Sequence, residues 1–139
     1  AISPEWTDSC QPREQLLALA ACKTTPPPKP TGSQLSGVAL SATFMSGTAT
    51  VSKGRSLESG SNWEIARDGN GVQSIKVVDS GFADTGTYRI DGYQICSKWQ
   101  KIRDGSETCS ALYALPDSTY EAADGKGVKL ATFIIEKAS

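Results

Sequence analysis

The side chains with the most defined chemistry in this chain are its four cysteines, Cys10, Cys22, Cys96 and Cys109. An even number of cysteines in a small, turn-rich chain predicts two disulfides and an oxidising compartment. The sequence contains no Cys-x-x-Cys pair, so the spacing is not typical of a zinc site. Among the possible pairings we favour Cys10–Cys22 with Cys96–Cys109, and we expect no metal ion and no cofactor.

A bridge between Cys96 and Cys109 sets a condition on the hairpin that joins them. If Asp104-Gly105 formed a two-residue turn, Cys109 would face Gln100 across the hairpin. Cys96 would then lie too far along its strand for a disulfide, because each strand residue advances the chain by ~3.3 Å. The pairing therefore predicts a longer loop or a bulge between the two strands.

The sequence contains no histidine, which removes the commonest general base and the commonest metal ligand. We therefore predict that the protein is not an enzyme, and a carboxylate-based enzyme is the least favoured alternative. The segment 68–71 (Asp-Gly-Asn-Gly) starts like a calcium loop. Val72 and Gln73 break that pattern, so the segment is predicted to be a turn.

The charge balance excludes further classes of protein. The chain has 139 residues, with 14 basic and 15 acidic side chains and a net charge of −1. A general nucleic-acid binder needs a basic surplus to replace phosphate counterions, so we expect no nucleic-acid partner. No apolar run approaches the ~20 residues of a membrane span. Because the chain begins at Ala1, we interpret it as a secreted or periplasmic bacterial protein whose signal peptide has been removed.

Aromatic and basic side chains provide the candidate contacts for a ligand or partner. Seven of them stand out: Trp63, Tyr88, Tyr93, Lys98, Trp99, Lys101 and Arg103. Tyr93, Ile95 and Trp99 are spaced to share one face of a strand. Core packing explains such faces in many proteins, but an aromatic-lined barrel mouth is also a common small-molecule pocket. Nearby carboxylates, Asp91 and Glu107 among them, are expected to neutralise part of the positive charge.

The elements that position these residues are predicted to be strands. From Thr48 onward, apolar and polar residues alternate with a period of two, and glycine-containing turns separate the runs. Three Asp-Gly pairs, at 91–92, 104–105 and 124–125, are expected to supply the positive φ angles of tight turns. The predicted strands cover 48–53, 61–67, 72–78, 86–90, 93–101, 107–114, 118–123 and 128–136.

The predicted fold class is mainly β, an antiparallel meander or small barrel of about eight strands with two short helices, stapled by disulfides. The alternative is an open, twisted sheet with a helix covering one face. That helix is predicted over 33–44, with Ser33 as its N-cap and Gly47 after its end.

The first 31 residues differ from the rest and are predicted to be an N-terminal arm ahead of a β domain at 32–139. A short helix over about 12–21 is followed by a proline-rich, extended segment at 24–30. A Cys10–Cys22 bridge requires the helix to be short, because a complete helix would hold its flanks ~15 Å apart. The arm either packs on its own barrel or docks to another molecule, and we slightly favour docking.

Between Gly86 and Gly125 the chain carries a Gly-Thr-Tyr-Arg-Ile strand, a Cys-x-x-Trp motif at Cys96 and Trp99, and an Arg-Asp-Gly turn before Cys109. This hairpin resembles a family of small secreted alphaproteobacterial (rhizobial-type) proteins of unknown function. The resemblance covers roughly residues 33–136. It implies an exported, β-rich fold and brings no catalytic residues.

These observations predict a secreted or periplasmic, non-enzymatic binding or accessory protein that acts through its surface and its N-terminal arm. We expect a protein partner, or self-association, through residues 1–31. The alternative is a lipocalin-like carrier of a small apolar ligand, which the aromatic strand faces favour.

Overall fold

The alternating strands of this chain close on themselves. The computed structural model describes residues 26–137. The elements are β1 Ser33–Gln34, α1 Gly37–Phe44, β2 Thr50–Ser56, β3 Asn62–Arg67, β4 Val72–Val77, β5 Ala83–Asp91, β6 Gln94–Trp99, β7 Glu107–Ala114, β8 Tyr120–Ala123 and β9 Lys129–Lys137. Each strand from β2 to β8 pairs antiparallel with the next in sequence, and β9 pairs with β2, so eight strands form a closed up-and-down barrel. The short strand β1 pairs with β7.

The predicted fold class is confirmed, and the barrel rather than the open sheet is the form adopted. Closure pairs every strand edge of the meander, which an open sheet would leave exposed. The largest shifts in strand boundaries are three residues: β2 ends at Ser56 instead of residue 53, and β5 begins at Ala83 instead of residue 86. The first residues of β5 pair with Ile75 and Lys76 at the end of β4, so the β4–β5 hairpin is longer than the sequence pattern indicated.

Helix α1 covers one end of the barrel. The predicted helix over 33–44 is too long, because Ser33 and Gln34 form β1 instead of the first helical turn. The N-cap is Ser36, whose Oγ accepts a hydrogen bond from the Ala39 N–H at 3.1 Å. Such a bond satisfies one of the free amides at a helix start.

Two side chains of α1 anchor it to the barrel. Leu40 and Phe44 are completely buried and form the hydrophobic core with inward-facing residues of several strands. The Tyr88 hydroxyl donates a hydrogen bond of 2.6 Å to the Phe44 carbonyl and accepts one of 3.0 Å from the Gly69 N–H. The helix is thus fixed to this end of the barrel by both apolar packing and hydrogen bonds.

The disulfide between Cys96 and Cys109 is confirmed. The two residues lie directly opposite each other on β6 and β7, with their Cα atoms 3.9 Å apart. The longer loop that this pairing required is also present, at residues 100–106, and it contains a 3-10 turn over Ile102–Gly105. Cys10 and Cys22, and the predicted helix at 12–21, lie outside the described residues.

The three Asp-Gly pairs do not behave alike. Gly92 has a φ of 62° in a two-residue turn, and Gly105 has a φ of 81° in the longer loop, as expected. The prediction is wrong for Gly125, whose φ is not positive. In that turn Gly127 has the positive φ of 81°, and the Asp124 carboxylate accepts hydrogen bonds from two backbone N–H groups. An aspartate that caps the turn in this way does not need glycine as its next residue.

The last residues of the arm run along the outside of the barrel. The Pro28 carbonyl accepts a hydrogen bond from the Lys129 N–H at 2.8 Å. The N–H groups of Thr31 and Gly32 donate to Oε1 of Glu121 at 2.9 and 2.8 Å. Glu121 faces outward on β8, yet only 1% of it is exposed. The segment 28–32, which joins the end of the arm to the β domain and is called the arm segment below, therefore packs on its own barrel. No helix among residues 26–137 has the length and apolar character to cross a membrane.

Candidate ligand cavity

A cavity of about 230 Å³ lies inside the barrel. Its wall is mainly apolar and aromatic, and it includes Trp63, Trp99, Phe133 and Ile65. The cavity extends from Arg67, beside the helix-covered end, to Ile102 and Arg103, which belong to the loop at the opposite end. A concave, largely apolar space with a few polar groups is the usual form of a small-molecule site.

Small inward-facing side chains leave this space unfilled. Ser52, Ser97, Ser110, Ala122 and Ala131 all line the cavity from different strands. Larger residues at these alternating positions would pack the interior to the density that is normal for a protein core. The cavity therefore depends on the small residue types at the inward positions that the closed barrel brings together.

Glycine on β2 makes room for the aromatic wall. A Cβ atom on Gly54 would lie 2.6 Å from Phe133 Cβ and 2.7 Å from the Trp63 ring, closer than real contacts allow. Trp63 and Phe133 pack with their ring centroids 5.9 Å apart, and Tyr120 stacks on Phe133 at 5.5 Å. Pairs of aromatic rings at these separations fix one another's orientation.

Arg67 places a positive charge inside the barrel. Only 8% of this residue is exposed, and its side chain lines the cavity. Its Nε donates to Oε1 of Gln73 at 3.1 Å, and its Nη1 donates to Oγ of Ser52 at 3.3 Å. The guanidinium carbon lies 4.9 Å from the centre of the Phe44 ring and 5.5 Å from that of Tyr88. Cation–π contacts of this kind compensate part of the lost hydration.

No carboxylate compensates this charge among the described residues. None of the residues that line the cavity is Asp or Glu, and the ion pairs found within 26–137 do not involve Arg67. Burial lowers the pKa of Arg67 to about 10, because the charged form loses hydration that no acidic neighbour replaces. The side chain still remains protonated at neutral pH.

A buried aspartate holds the loop at the other end of the cavity. The Asp84 carboxylate accepts hydrogen bonds from the N–H groups of Lys101 and Ile102, at 2.8 and 2.9 Å. Burial alone would raise the pKa of Asp84, but these N–H groups outweigh it and hold the pKa below its usual value. The bonds fix the start of the 100–106 loop and so position Ile102 and Arg103 at the cavity.

The structure brings three of the seven predicted contact residues to the cavity, namely Trp63, Trp99 and Arg103. Tyr88 lies in the core beneath α1, where its hydroxyl is used in the backbone hydrogen bonds already described. The prediction for Tyr93 is wrong in its geometry. Tyr93 lies in the turn after β5 and is 59% exposed, so it does not share a face with the buried residues Ile95 and Trp99.

The two lysines lie outside the barrel. Lys98 and Lys101 are both exposed, and Lys101 Nζ lies 5.9 Å from the centre of the Phe82 ring. The expected neutralisation of nearby charge is present at Arg89, which binds Glu107 at 2.8 Å and Asp91 at 3.4 Å. This exterior surface is therefore separate from the cavity and partly balanced in charge.

Arg67 was missed by the sequence analysis, although a signal for it existed. Within the predicted strand at 61–67, Arg67 has the same parity as Trp63 and Ile65, so alternation alone places all three on one face. A charged residue in step with two large apolar residues indicates a charge that points into the barrel.

Comparison with known proteins adds no further evidence: no family model, curated protein or solved structure matches the chain. The resemblance to small secreted alphaproteobacterial proteins therefore stays a prediction. The features that define the class of this molecule are its own, a closed eight-stranded antiparallel barrel with an internal cavity and one disulfide within the described residues.

Proposed function

We propose that this is a non-enzymatic binding protein that takes up a small molecule inside its barrel. The observation that carries the proposal is the cavity of about 230 Å³ with its aromatic wall. A cavity of about 150 Å³ already admits benzene, so this one has room for a somewhat larger molecule. The carrier hypothesis, second in the sequence analysis, thereby becomes the first.

The size of the cavity limits the ligand. At about 30 Å³ of liquid volume for each water-sized group, 230 Å³ corresponds to roughly eight such groups. Drug-sized molecules usually occupy sites of about 300–1,000 Å³, so the proposed ligand is smaller than these. Medium-chain or single-ring compounds match the volume.

The exported location remains part of the proposal. The Cys96–Cys109 disulfide supports it, because such bridges persist mainly in oxidising compartments. Action through the surface and the arm also stays a proposal. Of residues 1–31, through which a partner was expected to bind, Pro28 and Thr31 contact the barrel itself, and 1–25 lie outside the described part of the chain.

Ligand uptake is testable by two-dimensional NMR with 1-octanol as a neutral probe. We expect saturable shifts of the indole N–H signals of Trp63 and Trp99, which line the cavity. Ser110→Leu should fill the space and abolish these shifts while the protein stays folded. Ser74→Leu, which adds the same side chain at an exposed position on β4, is the matched control and should bind like the wild type.

Two results would contradict uptake into the barrel. One is the absence of saturable shifts in the wild-type protein with neutral, anionic and cationic probes of this length. The other is equal binding by the Ser110→Leu and Ser74→Leu variants, which would place the probe elsewhere on the molecule.

A further inference from the structure

The charge inside the cavity carries information about the ligand. Arg67 and Arg103 line the cavity at its two ends, and no acidic residue lines it within the described chain. A buried charge without a counterion is costly, and proteins usually pair or neutralise such groups. Arg67 is held in place by neutral partners, Ser52 and Gln73, which orient the guanidinium but leave its charge uncompensated.

The guanidinium also has hydrogen-bonding capacity in reserve. Arginine has five N–H donors, of which Nε–H binds Gln73 and one Nη1–H binds Ser52. The remaining three donors, one on Nη1 and both on Nη2, make no hydrogen bond to another described residue. One N–H group on each Nη atom can donate to the two oxygens of a carboxylate at the same time, which makes a bidentate pair.

A second polar group at the same end lacks a partner. The Thr50 hydroxyl is buried and makes no hydrogen bond to any described residue. Thr50 occupies the register position directly opposite Arg67 in the β2–β3 pair. The helix-covered end of the barrel thus contains polar groups, on Arg67 and Thr50, that have no hydrogen-bond partner among the described residues.

We propose that the cavity binds a small anionic amphiphile whose head group pairs with Arg67 and whose apolar part lies along the aromatic wall. The inference rests on the proposed ligand-binding function and names the chemical class of the ligand. Trp63, Trp99 and Phe133 provide the apolar surface, and the volume of about 230 Å³ matches an apolar chain of roughly eight water-sized groups at about 30 Å³ each. A medium-chain carboxylate meets all three requirements.

The test compares octanoate, 1-octanol and octylammonium, which share a chain length and differ in charge. Dissociation constants are measured by NMR titration of the folded protein. We expect octanoate to bind about tenfold more tightly than 1-octanol, because hydrogen bonds to a charged group exceed neutral ones. Octylammonium should bind most weakly. Octyl sulfate is included because a guanidinium can bind both carboxylate and sulfate head groups. The ratio of the dissociation constants of octyl sulfate and octanoate identifies the preferred head group.

Variants locate the head group. Arg67→Met should remove the preference for octanoate over 1-octanol, and Arg67→Lys, which keeps the charge, should retain the order of the probes. Arg89→Met, at an exposed arginine on the outside of the barrel, is the matched control and should change octanoate affinity by less than about threefold, because exposed charges are screened. Arg103→Met tests the arginine at the opposite end of the cavity. If Arg67→Met does not fold, the probe series on the wild type and on Arg67→Lys still tests whether the cavity prefers an anion.

Each outcome has a distinct meaning. Equal binding of octanoate and 1-octanol by the wild type would overturn the anionic preference and leave ligand uptake standing. Loss of the preference in Arg103→Met, but not in Arg67→Met, would overturn the assignment to Arg67. Failure of all the probes to bind would overturn the proposed function together with this inference.

Discussion

Replacing Glu121 with alanine should detach the arm segment from the barrel. The Glu121 carboxylate accepts two backbone hydrogen bonds, from Thr31 and Gly32, and pairs with Lys129 Nζ at 2.9 Å. Only 1% of Glu121 is exposed, although it lies on the outer face of the barrel. The three contacts join three separate parts of the chain at a single buried group.

The expected loss of stability follows from these contacts. A hydrogen bond to a charged group contributes about 1.5–3 kcal/mol. The lower value applies here, because the freed N–H groups and Lys129, whose side chain is 21% exposed, regain water. Two backbone bonds then give about 3 kcal/mol. For a chain of this length that corresponds to a fall of about 12 °C in Tm.

The assay is thermal unfolding followed by circular dichroism, with Glu136→Ala as the matched control. Glu136 also forms an ion pair, with Lys53, but both side chains are about half exposed, at 49% and 45%. Exposed pairs contribute little, so Tm of the control should change by no more than about 4 °C. Equal losses in the two variants would refute the argument that the buried carboxylate anchors the arm segment.

The pH dependence provides an independent check. Burial alone raises the pKa of Glu121, but the Lys129 ammonium and the two N–H groups outweigh it and lower the pKa. The unfolded chain then binds more protons than the folded one, so the stabilisation is present above the unfolded pKa of about 4.3 and is lost as the pH falls through the folded pKa. The stability difference between wild type and Glu121→Gln should therefore shrink in acid. A constant difference from pH 7 to pH 3 would contradict this assignment.

Two other perturbations test the framework of the barrel. Leu40→Ala should lower the free energy of unfolding by about 2–5 kcal/mol in urea titrations, because it leaves a cavity beneath α1. Val38→Ala, at a position that is 82% exposed on the same helix, is the control and should have little effect. Equal losses in the two variants would show that Leu40 does not anchor α1. The Cys96→Ser/Cys109→Ser double variant should lose about 3 kcal/mol, since the bridge closes a loop with a sequence separation of 13; an unchanged urea midpoint would show that the bridge does not restrict the unfolded chain.

Strand positions were predictable because alternation and turn residues are local signals. All eight predicted strands of the barrel overlap observed ones, and the β7 boundaries at 107–114 agree residue for residue. The cavity was less accessible to such reasoning, because its existence depends on which inward positions from distant strands meet. Ser52, Ser110 and Ala131 come from three different strands, and no pattern in a single strand shows that they leave a common space.

The short strand β1 and the start of α1 show a different limit. Apolar residues at helical spacing favoured a helix from Ser33, but Ser33 and Gln34 pair with the end of β7. The neighbouring Gly32 lies so close to the Ala114 carbonyl that a Cβ atom would approach its oxygen to 2.5 Å. This long-range backbone pairing outweighs a local helical preference, which contributes only weakly near a helix end.

The two ends of the cavity have different constructions, and the difference bears on how a ligand would enter. Leu40 and Phe44 of α1 are fully buried at the end where Arg67 lies, so this end is closed by core packing. The opposite end is bordered by the 100–106 loop, whose backbone is held by Asp84 and whose two flanking strands are joined by the disulfide. Opening the loop end disturbs fewer buried apolar contacts than removing α1, and regions with few such contacts open at lower free energy. If the proposed anionic ligand enters by the loop end, it passes Ile102 and Arg103 on its way to Arg67, with its charged head group first.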